Sequence, residues 1–276
     1  MNRKLDFKMG TITKMFQGLE KGNRKALIPY FTVGFPNQKT FADLVVQAND
    51  SGTVDLIEIG IPFSDPLADG PSIQFSSQKA LENKITVEKS LNLLSDISRK
   101  INRPLVIMSY LNPLLQYGLE KFFKDAAEIG IAGLIVPDLV IEEGKNIESK
   151  SKKFNLDLIY LLAPTTNGQR RKEIVKRSNG FVYLVSIAGV TGSRNNLPSH
   201  LKDYIQQVKS LTSKPVCVGF GISNPRQAAQ VARFADGVIV GSAIVEIIRK
   251  EKSSKAISSQ VIKFLRNLRK GMDKNG

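Results

Sequence analysis

The chain predicts an α/β fold, a single (β/α)8 barrel of the TIM type with an extra N-terminal helix, and three observations carry that prediction. Short β-branched runs recur along it, each is followed by a stretch with helical apolar spacing, and the alternation comes round eight times in 276 residues. A closed barrel of about 250 residues fits that count better than an open doubly wound sheet. The strand runs are nearly continuous in apolar residues, as parallel strands covered on both faces require.

Taken in order, residues 11–20 have helical spacing and precede the first strand, 27–33. A helix over 41–49 leads to the second strand, 54–60. A helix starting near Ser72 and another over 87–100 lead to the third, 104–110. Helices over 119–129 and 142–153 precede strands four and five, 133–136 and 157–163, and strand six is 181–186. Helix 201–211 leads to strand seven, 215–219, and helix 225–234 to strand eight, 237–240, which runs into a helix beginning at Gly241. No Pro/Gly/Ser-rich linker divides the chain. It reads as one domain over 1–276, with the barrel core at about 27–250 and a C-terminal helix and basic tail over 251–276.

Composition narrows the class. At 42% hydrophobic residues the chain can fill a large core. One cysteine and one histidine supply neither an internal disulfide nor a zinc ligand set, and a reducing compartment is expected. Apolar runs such as 104–108 fall far short of the ~20 residues that span a bilayer, and the polar start lacks a signal-peptide core. The expectation is a soluble cytoplasmic protein or, if organelle-encoded, one of the plastid stroma. The net charge of +15 suggests a polyanion partner, but its distribution argues otherwise. Residues 1–25, 145–177 and 249–276 hold +5, +6 and +7, which leaves −3 for the motif-bearing remainder. A solvated basic exterior is expected, with no nucleic acid and no membrane as partner.

In such barrels the reactive groups gather at the carboxyl ends of the strands. A charged residue inside a strand is therefore informative, because burying it unpaired costs several kcal/mol. In strand two, Leu56, Glu58 and Gly60 share one face while Ile57, Ile59 and Ile61 share the other. The isoleucine face belongs under the helices, so Glu58 should point into the barrel near its mouth. A carboxyl in a partly dry pocket has its pKa pushed up, which suits it to move protons near neutrality. The alternative is a buried glutamate satisfied by backbone or tyrosine partners. The loop that follows carries Asp65 and Asp69 among three prolines. Asp65 reads as a turn former, whereas the residues leave Asp69 open between capping the next helix and reaching over the mouth. Asp138, ending strand four, is as plausibly a loop anchor as a reactive group.

Phosphate sites in these barrels use the loops after strands seven and eight and the start of a short helix. Strand seven runs into Gly219-Phe220-Gly221-Ile222-Ser223 and strand eight into Gly241-Ser242-Ala243-Ile244. Either glycine segment alone is a weak signal; both together point to a small phosphorylated substrate. The loop from Ser186 to Arg194, with Thr191 between Gly189 and Gly192, reads as a lid or as ordinary surface. Tyr183, inside strand six, needs a hydroxyl partner, and an inward carboxylate would serve. No predicted strand contains a lysine for a Schiff base, and Lys214 precedes strand seven at the wrong end. His200 follows Pro198 in a loop and reads as exposed, which disfavours a nucleophile set. Carboxylate acid–base chemistry on a phosphorylated ligand remains.

These residues bring the chain close to a known family. The string Leu56-Ile57-Glu58-Ile59-Gly60-Ile61-Pro62-Phe63-Ser64-Asp65-Pro66-Leu67-Ala68-Asp69-Gly70-Pro71-Ser72 resembles the signature of the tryptophan synthase alpha subunit family. So do Ile28-Pro29-Tyr30-Phe31-Thr32-Val33-Gly34, Ala188-Gly189-Val190-Thr191-Gly192, the Gly219 to Ser223 loop and Gly241-Ser242-Ala243-Ile244-Val245, in the same order and over nearly the whole chain. The resemblance implies a carbon–carbon lyase that cleaves indole-3-glycerol phosphate to indole and glyceraldehyde 3-phosphate. It implies that Glu58 is the acid–base that protonates the ring carbon and that Asp69 hydrogen-bonds the indole N–H. It further implies that Tyr183 holds the glutamate, that Thr191 is the lid threonine that orients the aspartate, with Gly192 beside it in the substrate site, and that Gly221, Gly241 and Ser242 bind phosphate. Phe220, Ile135 and Tyr30 match positions lining the indole pocket. Tyr30 stands where the family more often has phenylalanine, and Ile187 where some members have arginine.

The resemblance also implies no cofactor in this subunit. Pyridoxal phosphate belongs to a beta subunit that receives the indole for tryptophan biosynthesis in an α2β2 heterotetramer, and residues 62–66, Asn112 and 137–140 are candidate interface loops. Two competing readings are an aminosugar-phosphate isomerase on the same fold and a catalytically silent scaffold subunit. The presence of Glu58, Asp69 and Thr191 counts against the second.

Overall fold

The computed structural model describes residues 10–185, 201–219 and 221–274. Its sheet contains β1 (Ala26–Thr32), β2 (Ile57–Gly60), β3 (Leu105–Met108), β4 (Gly133–Ile135), β5 (Asp157–Ile159), β6 (Leu161–Leu162), β7 (Val182–Val185), β8 (Val216–Gly219) and β9 (Gly237–Val240). The spatial order is β5-β4-β3-β2-β1-β9-β8-β7-β6, with every adjacent pair parallel. Its two ends, β5 and β6, are separated in the chain by Tyr160 alone. The fifth predicted strand is thus one strand in two halves, and its continuity closes the barrel. The break has a local cause: the Tyr160 N–H donates to the Ser178 hydroxyl at 3.1 Å rather than to a neighbouring strand.

Alternation sorts the side chains into two sets. Leu27, Phe31, Ile57, Ile59, Leu105 and Ile107 join the large core beneath the helices. Ala26, Ile28, Leu56, Val106, Ile135, Ile159, Cys217 and Ile239 fill the barrel interior. The N-terminal mouth is plugged by α1 (Thr11–Lys21), whose Ile12 and Phe16 join that interior cluster. Helical spacing puts these two residues four apart on one face, which is why the sequence reads as an amphipathic helix there.

The outer ring comprises α2 (Gln38–Asp50), α3 (Pro71–Glu82), α4 (Val87–Ser98), α5 (Leu111–Tyr117), α6 (Leu119–Ile129), α7 (Lys145–Lys153), α8 (Gly168–Arg177), α9 (Leu201–Lys209), α10 (Pro225–Ala232), α11 (Ser242–Lys250) and α12 (Ser254–Asp273). Side-chain caps fix several starts, including Asn37 on α2, Thr86 on α4 and Ser253 on α12. Two of these helices carry too little apolar periodicity to be read in advance. In α5 only Leu114 is buried, and in α8 only Ile174 and Val175 among its arginines and lysines. The basic stretch over 145–177 forms α7 and α8 on the outside, partly paired through Lys150–Glu120 and Arg177–Glu148. Among the described residues no helix is long and apolar enough to cross a membrane.

At the floor of the barrel α12 is pinned by Arg269, which is buried. Its guanidinium pairs with Asp55, donates to the Thr53 carbonyl at 3.0 Å and to the Lys25 carbonyl at 2.8 Å. Asp55 also accepts the Leu27 N–H at 2.9 Å. Elements more than 200 residues apart thereby share one buried ion pair. Lys214 is likewise occupied at this end, donating to the carbonyls of Val175, Lys176 and Ser178.

Candidate active site

Glu58 sits in β2 between Leu56 and Gly60, on the inward parity, and is 1% exposed. It lines a cavity of about 310 Å³ at the carboxyl ends of the strands, shared with Tyr30, Asp69, Met108, Tyr183, Gly219, Gly221, Gly241 and Ser242. That volume falls at the lower end of the ~300–1,000 Å³ typical of small-molecule sites. Side-chain oxygen Oε2 of Glu58 is buried without a hydrogen-bond partner among the described residues. Burial, assisted by the Asp69 charge, pushes this carboxyl up to about 8. Near neutrality Glu58 therefore carries a proton, and its Oε2 has no acceptor among the described residues.

Asp69 arrives from the loop after β2. The N-cap of α3 is Gly70, with no side-chain cap bond, so Asp69 does not cap that helix. Its carboxylate faces the cavity, where burial pushes it up to about 6 while a hydrogen bond from Tyr110 opposes the rise. The two carboxyls thus separate in acidity, and between about 6 and 8 one is neutral while the other is charged. Asp65 remains exposed and accepts the Ser64 hydroxyl, while the turn of this loop is closed one residue later, by the Asp69 N–H on the Pro66 carbonyl. Asp138 anchors a loop: its carboxylate accepts the Leu111 N–H at 2.9 Å and so serves the start of α5.

Tyr30 crosses the cavity floor from β1. Its phenol lies over Gly60, and its hydroxyl is 3.4 Å from Thr32 Oγ1, which meets Ser76 Oγ at 2.6 Å. A Cβ at Gly60 would collide with that phenol. Gly60→Ala is accordingly expected to destabilise the chain by about 1–3 kcal/mol in denaturant unfolding. The penalty should shrink when Tyr30→Ala is made in the same chain, because the atoms that collide are then gone. Equal penalties in both backgrounds would remove the contact as its cause.

Tyr183 also lines the cavity, and burial together with the nearby Glu58 charge holds its phenol well above the ordinary value. No hydrogen bond joins it to Glu58. Its hydroxyl packs instead 2.7 Å from where a Gly219 Cβ would stand, so the absence of that side chain makes its berth. Ile135 is fully buried in the interior cluster and is not among the cavity-lining residues; Met108, its partner in register across β3 and β4, is. Thr191, Gly192, Phe220, Ile187 and His200 lie outside the described residues.

The opposite wall is backbone. Gly221 adopts a φ of +60°, a conformation that favours glycine. Gly241 precedes Ser242, the first residue of α11, whose N-terminus has no side-chain cap. First-turn N–H groups without internal partners, beside a small hydroxyl and at the positive end of a helix, suit an anion. Sequence reasoning passed over Tyr110, Ile73, Leu161 and Ile239. Tyr110 had a legible signal, since it shares the inward parity of Val106 and Met108. The others are apolar and announce nothing.

A family model described as tryptophan synthase alpha chain matches residues 16–273. A relative of that description from Dehalococcoides mccartyi is 43% identical over 265 residues, covering 96% of this chain and all of its own. Another from Carboxydothermus hydrogenoformans is 45% identical, covering 93% and 96%. Among solved structures, the tryptophan synthase alpha chain of Legionella pneumophila superimposes with a TM-score of 0.88 at 37% identity, over 97% of this chain and 99% of that one. A chain of tryptophan synthase from M. tuberculosis, in an aminoacrylate-bound form, gives 0.85 at 32% identity over 96% and 100%. With an inward glutamate, a second carboxylate and a glycine-bearing wall in one cavity of a barrel matched over nearly its full length, the chain belongs to the tryptophan synthase alpha chain family.

Proposed function

We propose that Glu58 and Asp69 divide the chemistry of the family's reaction in this chain. The chain is a lyase of tryptophan biosynthesis, and its reaction is the retro-aldol cleavage of indole-3-glycerol phosphate to indole and glyceraldehyde 3-phosphate. Neutral Glu58 gives its proton to the ring carbon that bears the glycerol phosphate side chain. The ring nitrogen then becomes cationic, and ionised Asp69 accepts its N–H and lowers the barrier electrostatically. Glu58, now a carboxylate, takes the proton of the adjacent side-chain hydroxyl as the carbon–carbon bond breaks. The glyceraldehyde phosphate leaves as an aldehyde, and the ring regains its aromatic electrons. Gly219, Gly221, Gly241 and Ser242 hold the phosphate through backbone N–H groups and one hydroxyl. Thr191, Gly192 and Phe220 complete the site in this reading, with Met108 of β3 on the wall where Ile135 was expected.

The observation that carries it is the split in acidity between two carboxyls lining one cavity. Protonating Asp69 removes the countercharge, and deprotonating Glu58 removes the proton donor. The rate of indole release against pH should therefore be bell-shaped, with limbs near 6 and 8. The deciding experiment incubates the chain with indole-3-glycerol phosphate, with and without an added beta subunit, and measures indole. Absence of indole in both, with isomerisation of an aminosugar phosphate instead, would overturn the reading.

The partner is a tryptophan synthase beta subunit in an α2β2 assembly, which carries the pyridoxal phosphate and condenses indole with serine. Leu67, 91% exposed on the loop that bears Asp69, together with exposed Leu115 and Val140, supports an interface at this rim, beside residues 62–66, Asn112 and 137–140. The bacterial relatives support a cytoplasmic location.

A further inference from the structure

We infer that Tyr110 is a positioning residue for Asp69: its phenol ties the loop over 61–70 to the end of β3 and aims the Asp69 carboxylate into the cavity. The inference rests on the role of Asp69 given above. Tyr110 follows β3 by two residues, is buried, and stands at the N-cap of α5. The Ala68 N–H donates to its hydroxyl oxygen at 2.9 Å. That oxygen accepts one bond and keeps its own proton, and Asp69 is the next residue along the loop, the rise in its pKa opposed by this phenol. The Phe63 ring packs against the Tyr110 ring with centroids 5.2 Å apart, so the start of the same loop is held by the same side chain.

Few other interactions fix this loop. Asp69 N–H donates to the Pro66 carbonyl at 3.3 Å, and Gln74 donates to the Asp69 carbonyl at 2.8 Å. Both act on backbone, and neither touches the carboxylate. Prolines limit the loop's bending but do not orient a side chain. Tyr110 holds the loop at two points before the carboxylate, through Phe63 near its start and through Ala68 beside Asp69.

A tie of this kind has an electrostatic consequence that mere packing would not. A hydroxyl donor favours the charged form of the carboxyl, against the burial that favours the neutral form. The groups that face Asp69 are Glu58 from β2, Tyr30 from β1, Tyr183 from β7 and Tyr110, with Asp138 behind Tyr110. Among them Tyr110 is the donor that opposes neutralisation of Asp69.

The test is carbon NMR titration of the full-length chain labelled at its aspartate carboxyls, with the Asp69 signal assigned by its loss in Asp69→Asn. In Tyr110→Phe the Asp69 midpoint should rise by about one unit. The turnover rate should fall about 10- to 100-fold, with KM moved less than about threefold. Fluorinating the Tyr110 ring, which strengthens the phenol as a donor, should move the midpoint the other way and keeps the test open if Tyr110→Phe folds poorly. An Asp69 midpoint unmoved in both proteins overturns the inference, as does a loss of thermal stability and rate with the midpoint unmoved. Because the titration needs no substrate, a wild-type chain that releases no indole but shows both midpoint shifts would overturn the reaction and leave the tie standing.

Discussion

Glu58→Gln is expected to cut indole release by at least ~10³-fold and, at the same time, to make the folded chain more stable. The first effect follows from chemistry. Glutamine keeps the volume and inward direction of the side chain but can neither deliver a proton to carbon nor take one from the side-chain hydroxyl. The second follows from burial. The carboxyl has an ordinary value of 4.5 and is pushed to about 8 in the fold, so the folded chain binds that proton more tightly than the unfolded chain. Below about pH 4.5 both states are protonated and the group costs nothing. As pH rises the unfolded chain ionises freely while the folded chain does not, and stability drains away until the folded group ionises near 8. At pH 7 the deficit is of the order of 1–3 kcal/mol. Melting measured at pH 5 and pH 8 should find the variant's advantage larger at pH 8. An advantage that is flat across this range would mean that the wild-type carboxyl is not held neutral. Asp69→Asn should lose a comparable share of the rate, about 10²- to 10³-fold, for a different reason: the countercharge is gone while the proton donor remains. Its residual rate should lack the limb near 6 and keep only the limb of Glu58, moved below 8 because the Asp69 charge that helps to raise it is gone.

Arg269→Met should destabilise the chain by about 3–5 kcal/mol without touching the cavity. The guanidinium holds Asp55 and two backbone carbonyls, those of Thr53 and Lys25, in a buried position at the opposite end of the barrel from Glu58. Removing it strands a carboxylate that is buried beside the Leu27 N–H and only partly countered by Arg24 at 3.5 Å. The penalty is therefore for the partner left behind more than for the pair. A double change, Arg269→Met with Asp55→Asn, should recover a substantial part of the loss, because asparagine still accepts the Leu27 N–H without a charge. Urea unfolding of the three variants measures this directly. Recovery of nothing would place the cost in the packing of α12.

Much of the architecture was legible because parallel barrel strands advertise themselves. Ile57 and Ile59 flanking Glu58 state which face goes under the helices, and that parity alone put the glutamate inside. That the glycine-bearing loops at Gly219 to Ser223 and Gly241 to Val245 form cavity wall was legible for a similar local reason, since glycines mark where backbone can come close to the contents of a site. By contrast, α8 buries only two residues and so left little periodic trace, and the break in the fifth strand depends on Ser178, eighteen residues away. Tyr183 and Ile135 show the limit for individual residues. Their strands were read correctly, but whether a phenol meets Glu58 or packs over Gly219, and whether Ile135 or Met108 reaches the cavity, is decided by how neighbouring strands stagger.

The sequence by itself determined which elements form and which way Glu58 faces, because helix and strand periods and side-chain alternation are short-range rules written into consecutive residues. The tertiary structure decided that Asp69 lines the cavity and does not cap a helix, by leaving the start of α3 to Gly70 and holding the loop at Ala68 through Tyr110. It also decided the acidities of both carboxyls, since burial and a neighbour's charge are properties of groups far apart in the chain and exist only once the barrel has closed.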